Sequence, residues 1–271
     1  MRSVKFLIAA GAATLMSTAA FAADMAIAPP PAYAPPPVVE DFGGWYLRGD
    51  IGFSNQRVSR LNNALDALAT SSVQNLSFGT AGIFGLGAGY RFNNWFRADV
   101  TGEYRGNSQF FGTDYLTYPG PAFGADVYHA TKSEWVVLGN AYLDLGTWWC
   151  VTPFIGAGVG GARVSIANFT DINTPTNGVA YGDNVAKWNL AWALHAGVAY
   201  KVTPNFTVEL AYRYLDMGDG LTGDLRTFNG INAINNPTTF KSITSHDLKL
   251  GVRWDLNTPQ PVYQPPLVRK G

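Results

Sequence analysis

From residue 44 onward, apolar and polar positions alternate with a period of two, and turn-forming stretches separate the alternating runs. Such a period sends successive side chains to opposite faces of a β-strand. In the first run, 45–54, Trp45, Leu47, Ile51 and Phe53 share one face while Tyr46, Arg48 and Asp50 share the other. The third, 95–106, sets Phe96, Ala98, Val100 and Tyr104 against Arg97, Asp99, Glu103 and Arg105, and the fourth, 134–145, sets Trp135, Val137 and Leu143 against Glu134, Asn140 and Asp144. The sixth, 187–201, opposes Trp188, Leu190, Trp192, Leu194, Val198 and Tyr200 to Lys187, Asn189, His195 and Lys201. In the seventh, 206–215, Phe206, Val208, Leu210, Tyr212 and Tyr214 oppose Glu209 and Arg213. In the eighth, 243–256, Leu248, Leu250, Val252, Trp254 and Leu256 oppose Asp247, Lys249, Arg253 and Asp255.

The second run (78–92) and the fifth (153–166) differ, because Gly79, Gly85, Gly87 and Gly89, and then Gly156, Gly158 and Gly160, fill the polar face. Glycine there leaves room for long side chains from neighbouring strands. In the fifth run, taking Ile155, Ala157 and Val159 as outward carries Arg163 outward with them. A bulge at Gly160-Gly161 would return it to the charged face, and with that bulge all eighteen charged residues of the eight runs share one side. Connections alternate between short (93–94, 146–152, 202–205) and long (55–77, 107–133, 167–186, 216–242). The pattern predicts an all-β, up-and-down, eight-stranded antiparallel transmembrane barrel with tight periplasmic turns and four long extracellular loops.

A soluble eight-stranded barrel alternates in the same way but hides its apolar face inside. Here the apolar faces carry bulky Trp, Tyr, Phe and Leu, whereas the charged faces carry the glycines, and an eight-stranded interior has little room. Tryptophans also sort to strand ends: Trp45, Trp95, Trp148, Trp149 and Trp254 by the short turns, Trp135 and Trp188 by the long loops. Aromatic girdles at membrane interfaces have this distribution.

Composition agrees. Only 14% of residues are charged, 14% are aromatic and thirty are glycine, whereas charge is about a quarter of a soluble domain. The N-terminus has Arg2 and Lys5, an apolar run from Phe6 to Met16 and an Ala20-Phe21-Ala22 end, the plan of a secretory signal peptide (1–22). Removing it leaves 17 basic and 19 acidic residues, a balance that offers no nucleic-acid partner. Cys150 is the single cysteine and has no disulfide partner within the chain. Ten of sixteen prolines lie in 29–37 and 258–266. They predict a proline-rich periplasmic linker (23–43) and tail (257–271) flanking the barrel (44–256), with both termini periplasmic.

The opening DFGGWYLRGDIGFS, the segment TPFIGAGVGGARV and the pair FTVELAYRYLD and HDLKLGVRWDL together resemble the small porin-like outer-membrane antigens of alphaproteobacteria, which group with the OmpA-like eight-stranded barrels. The resemblance implies a cell outer-membrane location and a role in envelope integrity, adhesion or host contact. Some relatives are described as haemin-binding or as weak porins. It also implies outer-membrane lipid, lipopolysaccharide and the barrel-insertion machinery as partners. Relatives usually end on an aromatic last-strand residue, whereas fifteen residues follow Leu256 here.

Arg48, Asp50, Arg97, Asp99, Glu103, Arg105, Glu209, Arg213, Asp247, Lys249, Arg253 and Asp255 are expected to form an interior ion-pair network, with Glu209 near Arg253 and Arg213 near Asp247. A conducting pore is the alternative, since the same charges would then line water. No GxSxG or HExxH pattern occurs, so no catalytic residue, metal site or cofactor is assigned. A haem site would use His129, placed in a loop, or His246, near the outer rim; His195 belongs to the lumen. In the long loops, VSRLNNALDALA suggests a short helix over the mouth, with Leu61, Ala64, Leu65 and Leu68 at helical spacing. The aromatic-rich FFGTDYLTYPGPAFGADVYH (110–129) suits either contact with a host or surface ligand or packing over the mouth.

Overall fold

The computed structural model describes residues 43–232 and 234–256. The expected signal peptide, the linker up to residue 42 and the tail from 257 lie outside the described residues. Eight strands form the barrel: β1 (Gly44–Arg57), β2 (Ala81–Arg91), β3 (Phe96–Thr117), β4 (Phe123–Asp144), β5 (Val151–Asn173), β6 (Val185–Lys201), β7 (Phe206–Asp216) and β8 (Thr244–Asp255). Each pairs antiparallel with the next, and β1 closes the ring on β8 from Tyr46 opposite Asp255 to Arg57 opposite Thr244. The barrel is therefore up-and-down and eight-stranded. β1 begins and β8 ends beside the short turns, where the Leu256 amide donates to the Trp45 carbonyl.

Turn chemistry explains the tight end. The Asn93 side chain accepts from the amides of Trp95 and Phe96 at 3.0 and 2.7 Å, and Thr203 Oγ1 accepts from the Phe206 amide at 3.1 Å. The turn before β5 passes through left-handed backbone at Gly146, Trp149 and Cys150.

At the other end the strands run much further than expected. A tilted strand of about 9–11 residues crosses a bilayer, yet β3 and β4 have 22 residues each and β5 has 23. Most of 107–133 is therefore not a loop but continued hairpin, and only 118–122 connect it. Strand Ser71–Phe78 pairs along the upper half of β3, from Ser71 opposite Thr117 to Phe78 opposite Phe110. Strand Gly178–Gly182 extends the sheet beyond β5 and pairs with Leu225–Thr227. The expected helix is a single 3₁₀ turn, Leu65–Leu68, whose Leu65 and Leu68 are exposed, while Leu61 lies in strand Arg60–Asn62 and is buried. The leucine spacing fails as a signal because Leu61 pairs across the mouth with Phe240.

The bulge expected at Gly160-Gly161 is absent. β5 stays in register with β4 there, and the shift lies between His129 and Thr131 instead. Arg163 consequently points outward, opposite Trp135 on β4 and Trp188 on β6.

Candidate functional site

The interior has two storeys, each built by alternation. In the lower storey, from the short-turn rim up to Lys132 and Glu134, inward positions carry seven buried cations and seven buried carboxylates. The Arg213 guanidinium donates to both Glu103 oxygens at 2.8 and 2.6 Å and to Asp247 at 2.7 Å. Arg105 grips Asp247 from the other side with two bonds of 2.8 Å and reaches Glu134 at 3.1 Å. Arg48 joins Asp50 and Asp99 at 2.9 and 2.8 Å. Arg97 lies over the rings of Tyr142 and Phe154 at 4.3 and 4.8 Å and pairs with Asp144 and Glu209. The expected pairs are both present: Arg253 bonds Glu209, and Arg213 bonds Asp247. All twelve residues expected in the network are buried in it.

Sequence reasoning missed Lys132, assigned to a loop; its ammonium bonds Gln56 and Glu134 and lies 4.4 Å from the Phe78 ring centroid. Two residues from Glu134 in an unbroken alternation, it was signalled by parity.

The glycine face has the role its position suggested. A Cβ at Gly85 would stand 2.9 Å from Glu103 Cγ, and one at Gly87 would stand 3.0 Å from Arg48 Cγ. A Cβ at Gly156 would meet the Tyr142 ring. Small residues on β2 and β5 thus leave the volume that the long charged and aromatic side chains occupy.

Above Lys132 most inward positions become apolar, with Asp114 and Asp126 as the acidic exceptions nearer the hairpin tips. Phe110, Tyr128, Ala130, Val164, Ile166, Phe169, Leu215, Met217 and Ile243 form one core with Val58, Leu61 and Phe240. Phe240, fully buried, sits with its ring 4.9 Å from Phe110 and 5.9 Å from Phe169. It is carried by strand Thr239–Lys241, which pairs with Arg60–Asn62 and with Gly220–Leu221. The first and last loops therefore knit a three-stranded cap across the mouth.

Loop 110–129 divides by parity between its two expected uses. Phe110 and Tyr128 point in and pack the cap, whereas Phe111, Tyr115 and Phe123 point out and are exposed. Val73 stands opposite Tyr115, and Ser77, Phe111, His129, Thr170 and Tyr181 follow one register row across five strands. Outward positions of Ser71–Phe78 and of the upper parts of β3, β4 and β5 carry Ser, Thr, Asn, Gln, His, aromatic and aliphatic residues but no charge. This broad neutral face lies beyond the membrane-crossing part of the strands.

Acidic residues line the inner side of the same hairpins. Asp66, Asp126 and Asp171 face a depression of about 240 Å³ beneath the hairpin tips, with Asp114 held nearby by Ser72 and Gln74. Burial, followed by the charges of Asp126, Asp66 and Asp114, pushes the Asp171 carboxyl up to about 7. Asp126 is raised by burial as well.

The histidines are not brought together. His195 is in the lumen as expected, with Nε2 3.2 Å from Asn140 Oδ1. His129 lies on β4 rather than in a loop, edge-on to Phe111. His246 lies on β8 with Nδ1 2.6 Å from the Tyr212 hydroxyl. β4 and β8 are four steps apart in a ring of eight, so the two rim histidines stand on opposite flanks. Among the described residues no group of three His, Cys, Asp or Glu is placed to hold a metal ion.

Lipid-facing and lumen-facing positions thus sort as in a transmembrane barrel, and the sequence matches the Outer membrane protein beta-barrel domain over residues 8–255. The chain belongs to that family. An uncharacterized protein of Brucella abortus (strain 2308) is 32% identical over 225 residues, covering 75% of this chain and 78% of the relative. Outer membrane protein PagN of Salmonella typhimurium is 30% identical, covering 65% of this chain and 75% of PagN. A putative adhesin of Rickettsia bellii is 26% identical, covering 92% and 98%. Among solved structures, the outer membrane protein OprG from Pseudomonas aeruginosa aligns with 80% of this chain and 97% of its own at 14% identity, with a TM-score of 0.48. The protein is an outer-membrane β-barrel.

Proposed function

We propose that this barrel is a surface-interaction protein whose long hairpins stand outside the cell, with both termini in the periplasm, and whose neutral outer hairpin face makes adhesive contact with another surface. One observation carries the reading: Val73, Phe111, Tyr115 and Phe123 are exposed on an uncharged β face beyond the span, where no hydrocarbon covers them. Tyr115 and Phe123 are 61% and 70% exposed, and solvent-facing aromatics of this kind mark contact sites. The name carried by the Rickettsia relative, putative adhesin, supports the same class. Passive conduction is disfavoured by the interior, where Arg97, Arg105 and Arg213 are fully buried and a second apolar storey lies above them.

The test uses whole cells displaying the full chain. Replacing Phe111, Tyr115 and Phe123 together by serine is expected to lower adherence to host-cell monolayers severalfold while surface antibody labelling stays constant. Unchanged adherence at equal surface display would defeat the proposal.

A further inference from the structure

Among the described residues, Arg163 is the one cation on the outward face of the barrel strands short of their ends, while Asp216, at the last residue of β7, shares the outward parity opposite Trp192. From the short-turn rim upward, outward positions of the eight strands carry apolar or aromatic residues, glycine or small side chains until Asn55 on β1, His246 on β8 and Asp216 on β7. The next outward cation, Arg57, stands at the last residue of β1, opposite Thr244. A lone cation in hydrocarbon is costly, yet Arg163 is exposed and makes no ion pair with any described residue.

Its surroundings suit an amphiphile with a negatively charged head. Trp135 and Trp188 flank Arg163 in one register row, and both indoles are exposed, which sets the row at the membrane interface nearer the hairpins. One outward row further toward the hairpins, Ser133 stands opposite Ser165, adding two hydroxyl donors. One row below, Gly161 lies between Val137 and Leu190, and the Trp188 ring packs over it, 3.4 Å from where a Cβ would be. Val159 and Leu190 below are exposed and apolar. Donors above, indoles on both sides and an apolar trough beneath follow the order of a lipid from headgroup to acyl chain.

We propose that Arg163, with Ser133 and Ser165, binds an anionic phosphate on the headgroup of an outer-leaflet lipid whose acyl chain lies over Gly161 against Val159 and Leu190. The guanidinium supplies a fork of N–H donors matched to phosphate oxygens, and the indoles exclude water from the pair. The site rests on the orientation proposed above, because it assigns the hairpin-side interface to the outer leaflet.

The experiment places the full chain in nanodiscs of zwitterionic phosphatidylcholine doped with bisphosphorylated lipid A, or with lipid A stripped of its phosphates. Retained lipid is then counted by native mass spectrometry. Wild type is expected to retain the phosphorylated lipid about fivefold better than Arg163→Gln, the worth of one basic residue at an anionic surface. Arg163→Lys should recover part of the difference, and lipid without phosphate should bind both proteins alike. Excess inorganic phosphate should not displace the lipid; displacement would show a free-anion site and overturn the lipid assignment. Equal retention by wild type and Arg163→Gln, in barrels that still shift on gels with boiling, would overturn the proposal and leave the barrel reading intact. Protease cleavage of the hairpins in intact cells checks the orientation separately.

Discussion

The lower and upper halves of the long strands obey opposite rules. Along β4, outward Val137 and Trp135 oppose inward Asn140 and Glu134, whereas nearer the hairpin tip outward Thr131 and Ala125 oppose inward Ala130 and Tyr128. One backbone therefore runs inside-out through the membrane and then reverts to the arrangement of a soluble protein. The difference teaches that facing is set by the solvent on each side, since hydrocarbon takes the apolar face below, whereas above it the outward face becomes mostly polar or small and keeps only a few large apolar residues such as Phe111, Tyr115 and Phe123. Charges can be buried below because they neutralise one another in bidentate pairs. Above, the cap buries apolar side chains as any water-soluble core does.

That contrast can be broken at several places. Arg213→Ala leaves Glu103 and Asp247 short of a partner in a sealed lumen, and should destabilise the whole barrel by about 3–5 kcal/mol in urea titrations of refolded protein. Phe240→Ala should cost a similar amount, about 3–5 kcal/mol, but confined to the cap. Amide exchange is expected to rise in Arg60–Asn62 and Thr239–Lys241 and to stay slow in β7 and β8 below it. Exchange rising throughout would mean the storeys are one cooperative unit.

Two further changes sharpen it. Leu250→Arg, outward near mid-span opposite Ile51 and Leu210, should cost about 2–4 kcal/mol. Thr113→Arg, outward on the hairpin, should stay within about 0.5 kcal/mol. A last test concerns pH. Asp171 holds its proton more tightly in the closed cap than its ordinary value of 3.8 allows, so its contribution to closure is present at low pH and lost as pH rises from about 4 to 7. Cap amides should be better protected at pH 5 than at pH 8, on the order of tenfold, and Asp171→Asn should flatten that dependence.

Much of the barrel was legible from alternation because a membrane imposes one facing rule on every strand that crosses it. The lumen charges and the Glu209 and Arg213 pairings follow from parity, and the strand order from the alternation of short and long connections. What parity could not supply was the length of β3, β4 and β5, since reversal of the facing beyond Lys132 looks in sequence like the end of a strand. His129 and Lys132 were placed in a loop for that reason. Arg163 was turned inward for another: a charge on the lipid face is so costly that a bulge at two glycines offered the cheaper arrangement, and the register shows the charge was kept. The cap was hidden because Leu61 and Phe240 meet through pairing of the first and last loops, which no local pattern records.

The reversal itself is the central claim, and a spin-label scan along β4 tests it most directly. With Cys150 replaced by serine, single nitroxides at outward positions Ala141, Gly139, Val137, Ser133, Thr131, Val127 and Ala125 would be probed by lipid-soluble oxygen and by a water-soluble nickel chelate. Oxygen should dominate from Ala141 to Val137, the two should cross near Ser133, and the chelate should dominate from Thr131 to Ala125. Oxygen-dominated collisions persisting to Val127, or chelate reaching Val137, would contradict the account.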